Sequence, residues 1–172
     1  MTEMVIYALP VGGGILALSP VPGGGGTYAA DLKHIAAWKP AIVVSLTTNK
    51  EMLDAGAHGF GADIQDNGTR WVHMPIQDFG TPNTNFESAW KDVSAAIRAA
   101  LHGGGRVLVH CKAGQGRSGM VALRVMIEAG ADPAAALDRL RAVRPGAVET
   151  DDQMVWAKRV DRSSAVFVRH SE

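Results

Sequence analysis

Hydrophobic positions along the chain follow two rhythms, and their alternation predicts the fold. Unbroken apolar runs rich in β-branched residues occupy 41–46 (Ala41-Ile42-Val43-Val44-Ser45-Leu46) and 106–110 (Arg106-Val107-Leu108-Val109-His110). Runs of that length, stopped by polar or glycine residues, predict strands buried on both faces of a parallel sheet. Residues 70–74 read as another strand, ended by Pro75, which cannot extend a ladder. Runs at 5–9 and 15–18 flank Gly12-Gly13-Gly14 and predict a small hairpin or two edge strands.

Between these runs the period lengthens to that of a helix. After the tract Pro22-Gly23-Gly24-Gly25-Gly26, a helix is predicted over 27–38, with Thr27 as N-cap and Leu32, Ile35 and Ala36 on one side. Short helices broken by glycine are predicted at 50–57 and 60–65. Phe86, Trp90, Val93, Ile97 and Leu101 recur at helical spacing over 86–101, with Thr84 or Asn85 as the cap and Gly103-Gly104-Gly105 as the stop. An apolar helix spans 117–129. Asp132-Pro133 supplies the N-cap and N1 proline for a helix to about 143, and Thr150 with Gln153 forms a capping box for a last helix to about 160. The stretch after Asp161 reads as peripheral. Helices alternating with buried strands predict one α/β domain over 1–172, its central sheet mainly parallel and flanked by helices on both faces.

Composition narrows the functional classes. The 172 residues, 47% of them apolar, suffice for a single domain with its own core. Seventeen basic residues balance 17 acidic ones, so no global field draws the chain to nucleic acid, and affinity for anions must be local. The single cysteine, Cys111, excludes an internal disulfide framework and a Cys-rich zinc site, and fits a reducing compartment. The six histidines lack a paired ligand spacing such as His-Glu-x-x-His, so no metal is expected. The four tryptophans fall on predicted elements and read as packing residues. No apolar run approaches the roughly 18 to 20 residues that span a bilayer, and Met1-Thr2-Glu3-Met4 lacks the basic region of a secretory signal. The expectation is a cytoplasmic monomer without a membrane span.

The chemistry concentrates between the third buried run and the following helix. Cys111 ends the strand, Arg117 opens the helix, and Lys112, Ala113, Gly114, Gln115 and Gly116 lie between them. A loop that short must curl, and Gly114 and Gly116 permit backbone angles that turn successive N–H groups inward as an anion nest. The helix N-terminus adds to the same field. Arg117 offers a planar fork for two oxygens of a phosphoryl group, a task lysine performs poorly. Residues 112–117 are therefore the candidate binding segment for a tetrahedral oxyanion. A free thiol of ordinary pKa, about 8.5, is only a few per cent ionised at neutral pH, so a cysteine nucleophile needs such a positive surrounding. His110 is placed to orient loop carbonyls, and Ser118 to donate its hydroxyl to the sulfur when cysteine leaves. Gly-Lys-Ser/Thr is absent, so the loop is no Walker nucleotide site.

His110-Cys111-x5-Arg117-Ser118 is similar, position by position, to the signature of the cysteine-based protein tyrosine phosphatase superfamily. Upstream, Pro75-Ile76-Gln77-Asp78-Phe79-Gly80-Thr81-Pro82 resembles the acid loop of dual-specificity phosphatases, which makes Asp78 the candidate general acid. An ordinary turn aspartate is the plain alternative. Asp92 lies inside a helix, and Asp63 and Asp66 precede a strand, so they are weaker acids for the role. Glu149-Thr150-x-x-Gln153 resembles a segment of some dual-specificity relatives, where Gln153 would position the hydrolytic water or support the loop besides serving as a cap. Cys111-Lys112-Ala113-Gly114 resembles loops of some phosphoinositide and phospholipid phosphatases as well as protein phosphatases. Those lipid loops often carry a second lysine where this chain has Gln115. The resemblance implies a small, cofactor-independent, dual-specificity-like phosphatase acting through a cysteinyl-phosphate. Its substrate would be a phosphorylated protein or peptide, phosphotyrosine first and phosphoserine or phosphothreonine besides. A phosphoinositide substrate and a non-catalytic phospho-binding module are the alternatives.

Overall fold

The computed structural model describes residues 4–160. The predicted peripheral tail after Asp161, with His170, lies outside the described residues, as does the start at 1–3. Strand β1 (Tyr7–Val11) returns through a two-residue turn into β2 (Gly14–Ser19) as an antiparallel hairpin. Three further strands, β3 (Ile42–Ser45), β4 (Arg70–His73) and β5 (Arg106–His110), complete a sheet of order β1-β2-β5-β3-β4 in which all pairs except the hairpin are parallel. The hairpin reading at the N-terminus holds, and the edge-strand alternative fails for the second run, because β2 lies between β1 and β5. The reason is visible in its side chains: Leu16 and Leu18 enter one core layer and Ala17 the other, so both faces of β2 are covered.

Seven helices flank the sheet among the described residues: α1 (Tyr28–Trp38), α2 (Asn49–Asp54), α3 (Phe60–Asp66), α4 (Thr84–His102), α5 (Gly116–Glu128), α6 (Pro133–Val143) and α7 (Asp151–Lys158). Strand period 2 sorts the core into two layers. Val44, Val107 and Val109 pack with Ile97, Leu123, Leu140 and Trp156 of α4 to α7. Val43 and Leu108 pack on the opposite face with Ile35, Met52, Phe60 and Ile64 of α1 to α3. Of the described helices none is long and apolar enough to cross a membrane.

Thr27 is the N-cap of α1 as predicted, though it caps with its carbonyl, which accepts from Asp31 N at 3.0 Å, and its hydroxyl makes no capping bond. The predicted cap of the long helix needs correction. Helix α4 is capped by Asn83, whose Oδ1 accepts from Phe86 N at 2.9 Å, rather than by Thr84 or Asn85, both of which lie inside the helix. Three polar residues in a row each satisfy the cap preference, and the first one reached by the helical backbone takes the position. The short helix α2 carries a reciprocal capping box between Thr48 and Glu51.

The register aligns the C-terminal ends of the parallel strands on one edge. Ser19, Ser45 and His110 lie side by side, with His73 next in line. In open α/β sheets, ligands bind along that edge.

Candidate active site

Cys111 follows β5 directly and is 2% exposed; its Sγ lies 3.2 Å from Ser118 Oγ and receives the amide of Ser118 at 3.4 Å. The hydroxyl expected to face sulfur lies within hydrogen-bond distance of it, and the Ser118 amide at the helix start joins it. The loop that follows is held from outside, carbonyl by carbonyl. Cys111 O accepts from His110 Nδ1 at 3.4 Å and Lys112 O from Val21 N at 3.1 Å. Ala113 O and Gly114 O accept from Arg144 Nη2 and Nε at 3.2 and 2.9 Å, and Gln115 O from Val148 N at 3.1 Å. A peptide unit is planar and trans, so its C=O and the next residue's N–H point in opposite directions. Five carbonyls pulled outward thus turn the amides of Lys112 through Gly116 toward the loop's interior, and among the described residues no protein acceptor takes them. Gly114 makes the tightest part of the turn: its φ is +70°, and a Cβ there would lie 2.5 Å from the backbone carbon of Ser19.

Arg117 is 1% exposed, yet fully engaged on its outer side. Nη1 and Nη2 donate to Glu51 Oε1 and Oε2, both at 2.7 Å, in a bidentate pair, and Nη1 also donates to Ile76 O at 2.8 Å. Burial alone would favour loss of the guanidinium proton, but the bonds to Glu51 outweigh it and hold the arginine charged. Burial likewise pushes the Glu51 carboxyl up, and the bonds from Arg117 and Thr48 overcome that and bring it to about 2. Nε of Arg117 is the one buried side-chain nitrogen or oxygen without a hydrogen-bond partner among the described residues. A buried guanidinium N–H without an acceptor is a donor that an oxyanion can take.

Glu51 was not singled out in the sequence. Thr48-x-x-Glu51 reads locally as a capping box, and that signal identifies a helix start without revealing that the same carboxylate reaches Arg117, 66 residues away in the chain.

Asp78 reaches the same guanidinium: its Oδ1 lies 3.2 Å from Arg117 Nη2 and also accepts from Phe79 N at 3.0 Å. It is half-exposed, at 42% of its side chain, in a turn closed by Gly80 N to Gln77 O at 2.8 Å. The turn and the contact with Arg117 thus coexist in one side chain. Gln153, fully buried, uses Oε1 to accept from Glu149 N and Thr150 N at 2.9 and 3.3 Å, and Nε2 to donate to Gly80 O at 3.1 Å. The cap and a tether on the Asp78 turn are both present in one amide.

His110 is sealed in the core, and burial, the largest influence, brings its pKa down to about 4, so it is neutral. Its tautomer follows from its partners. Nδ1 faces the carbonyl of Cys111 and must carry the proton; Nε2 is then an acceptor and takes the Ser45 hydroxyl, whose oxygen in turn accepts from Trp71 Nε1 at 2.8 Å. The chain Trp71, Ser45, His110 ends on the carbonyl of the cysteine itself. Lys112 and Ala113 are exposed on the outer rim, where they join Tyr7, Pro20, Val21 and Glu51 in lining a cavity of about 630 Å³.

Fold and site together define the class: a mainly parallel α/β sheet whose C-terminal edge carries a cysteine inside an amide-lined loop beside a buried, bidentately held arginine. The family described as "Dual specificity phosphatase, catalytic domain" matches residues 31–161, and the chain belongs to that family of cysteine-based phosphatases. The chain is 37% identical over 84 residues to cyclin-dependent kinase inhibitor 3 of Rattus norvegicus, covering 47% of this chain and 38% of that protein. It is 44% identical over 48 residues to the protein phosphatase Slingshot homolog of Xenopus laevis, covering 28% of this chain and 7% of that one. It therefore spans well under two thirds of either relative. Among solved structures, kinase associated phosphatase with its catalytic-site cysteine replaced by serine superposes with a TM-score of 0.82 at 22% identity, covering 96% of this chain and 98% of that chain. Tk-PTP in its active form gives 0.69 at 29%, covering 91% and 97%. PTPMT1 in complex with PI(5)P gives 0.68 at 16%, covering 95% and 99%. The first and last of these establish the fold alone.

Proposed function

We propose that the protein hydrolyses phosphomonoesters on proteins, phosphotyrosine foremost and phosphoserine and phosphothreonine in addition, through a cysteinyl-phosphate and without a metal. The observation that carries this reading is the set of donors, amides 112–116 and Arg117 Nε, that have no protein acceptor among the described residues, in the loop and helix start that follow one buried cysteine. Such donors match the three equatorial oxygens of a phosphoryl group in transfer and stabilise them without reorganisation. In the proposed first step the Cys111 thiolate forms the S–P bond as the P–O bond to the leaving group breaks, and Asp78 gives its proton to that oxygen. In the second, water attacks phosphorus, Asp78 takes its proton, and the S–P bond electrons return to sulfur, where Ser118 Oγ and N receive the thiolate. Gln153 holds the Asp78 turn in place for both steps. The cavity lined by Lys112 and Ala113 gives a polypeptide room for residues flanking the phosphorylated one.

The test is phosphate release from p-nitrophenyl phosphate in EDTA. Steady turnover is expected, abolished in Cys111→Ser and lowered by about 10² or more in Asp78→Ala, with the basic limb of the pH profile flattened. A pure wild-type protein that releases no phosphate sinks the enzyme reading. A phosphopeptide panel run beside phosphoinositides decides the substrate, and faster turnover of the lipids would move the assignment to them.

A further inference from the structure

The segment that follows α6 wraps the outer side of the oxyanion loop. Val148 N bonds Gln115 O at 3.1 Å, a Cβ on Gly119 would lie 2.6 Å from Val148 N, and one on Gly116 would lie 1.9 Å from Glu149 Oε1. Val148 itself sits at φ +68°, a left-handed conformation costly for a β-branched residue, which persists only where the surroundings dictate it. Arg144 opens this strap as the C-cap of α6. Its Nε donates to Gly114 O at 2.9 Å, and its Nη2 to Ala113 O and to Gln115 Oε1, both at 3.2 Å. The guanidinium is steadied from the far side by the Tyr7 ring, whose centroid lies 4.7 Å from Cζ.

We infer that Arg144 is a positioning residue for the oxyanion loop, holding the carbonyls of Ala113 and Gly114 outward so that the amides of Gly114 and Gln115 face the substrate. The inference rests on the reading of that loop as the phosphoryl site. Three of the five outward carbonyls are held by His110 or by backbone amides of Val21 and Val148; the other two depend on this one side chain. They are also the two peptide units that share Gly114, the residue most free to rotate. Without Arg144 either unit can flip and present a carbonyl oxygen to an incoming anion, replacing attraction with repulsion. A planar fork is needed because the two carbonyls are met by different nitrogens of one guanidinium, Nε and Nη2, and a lysine reaches only one.

Calorimetric titration of tungstate, a phosphate mimic, into the full chain tests this independently of turnover, with p-nitrophenyl phosphate kinetics and melting run beside it. Arg144→Ala is expected to weaken tungstate by about tenfold or more and to lower kcat/KM by about 10², with Arg144→Lys intermediate and millimolar guanidinium restoring part of the Arg144→Ala loss. Arg141→Ala is the control. Arg141 braces the same strap through Ala147 O at 2.9 Å and Val148 O at 3.1 Å and touches no loop carbonyl, so tungstate affinity should stay within about threefold while Tm falls. The inference is overturned if Arg144→Ala, or Arg144→Lys where the alanine variant does not fold, binds tungstate within about twofold of wild type, or if Arg141→Ala weakens it as much. Wild-type protein that binds tungstate without turning over p-nitrophenyl phosphate defeats the phosphatase reading and leaves Arg144 to be judged on affinity. Failure of the wild type to bind tungstate defeats both.

Discussion

Two glycine-rich loops wall the same cavity, Gly23 to Gly25 on one side and Lys112 with Ala113 on the other, and their amides are used in opposite ways. In the first, Gly23 N donates to the buried carboxylate of Asp31 at 2.8 Å, Gly24 N to Val21 O at 3.2 Å and Gly26 N to Gly23 O at 2.9 Å. Three of its donors are consumed by the protein, one of them by a built-in anion. In the second, outside donors consume the carbonyls, and the amides remain for a ligand. Glycine content makes either shape possible; what separates a structural turn from an anion site is which half of each peptide unit the surroundings have claimed.

The strongest way to break this contrast is to disturb the loop where it is tightest. In Gly114→Ala the new methyl group meets the Ser19–Pro20 backbone and the residue loses its ease at φ +70°, so the loop must shift and take several amides with it. Loss of about 10³ in kcat/KM is expected from kinetics on p-nitrophenyl phosphate, since removal of even one oriented oxyanion donor costs 10² to 10³. Retention of activity within about tenfold would mean that the inward amides matter little.

The next largest effect concerns the clamp. Glu51→Gln leaves Arg117 with a neutral partner, and breaking a buried pair costs about 3 kcal/mol or more, the low end applying because Glu51 keeps 17% exposure. Urea titration measures that directly, and a pH series shows its sign. Glu51 sits at about 2 in the fold against an ordinary 4.5, so its contribution is complete above 4.5 and is lost as pH falls from there toward 2. His110, at about 4 against 6.5, binds its proton more readily when unfolded, so stability also erodes as pH falls from 6.5 through 4. Glu51→Gln should abolish the lower window and leave the upper one. An unchanged lower window would show that another carboxylate carries it.

What the sequence made legible follows the same division between local and distant bonds. The strand, loop and helix around Cys111 and Arg117 were readable because apolar run, glycines and helix start are contiguous, and Asp78 because its turn carries its own proline and glycine signals. Gln153 was readable as a cap for the same reason. Glu51, Ser45, Trp71 and Arg144 were not, since each makes its bond across at least 26 residues of chain, through packing that no periodicity encodes. The interior place of β2 was likewise hidden: an apolar run tells that both faces are covered and says nothing of which strands lie beside it.

The smallest predicted effects sharpen the contrast from the structural side. Asp31→Ala removes the acceptor of the Gly23 amide inside the protein and should cost about 1 to 3 kcal/mol, the desolvation penalty of one orphaned donor, while turnover stays within about twofold. Gly25→Ala should change neither, because a Cβ at Gly25 meets nothing within 4 Å and its φ carries no left-handed requirement; a stability change within about 0.5 kcal/mol is expected. The pair separates two accounts of the tract. If it is only a wall, Asp31→Ala moves stability and Gly25→Ala moves nothing. If instead Gly25→Ala raises KM for phosphopeptides while leaving p-nitrophenyl phosphate untouched, the tract contacts residues beside the phosphorylated one, and the cavity it shares with Lys112 belongs to substrate recognition even though the tract's only bound anion is the protein's own Asp31 carboxylate.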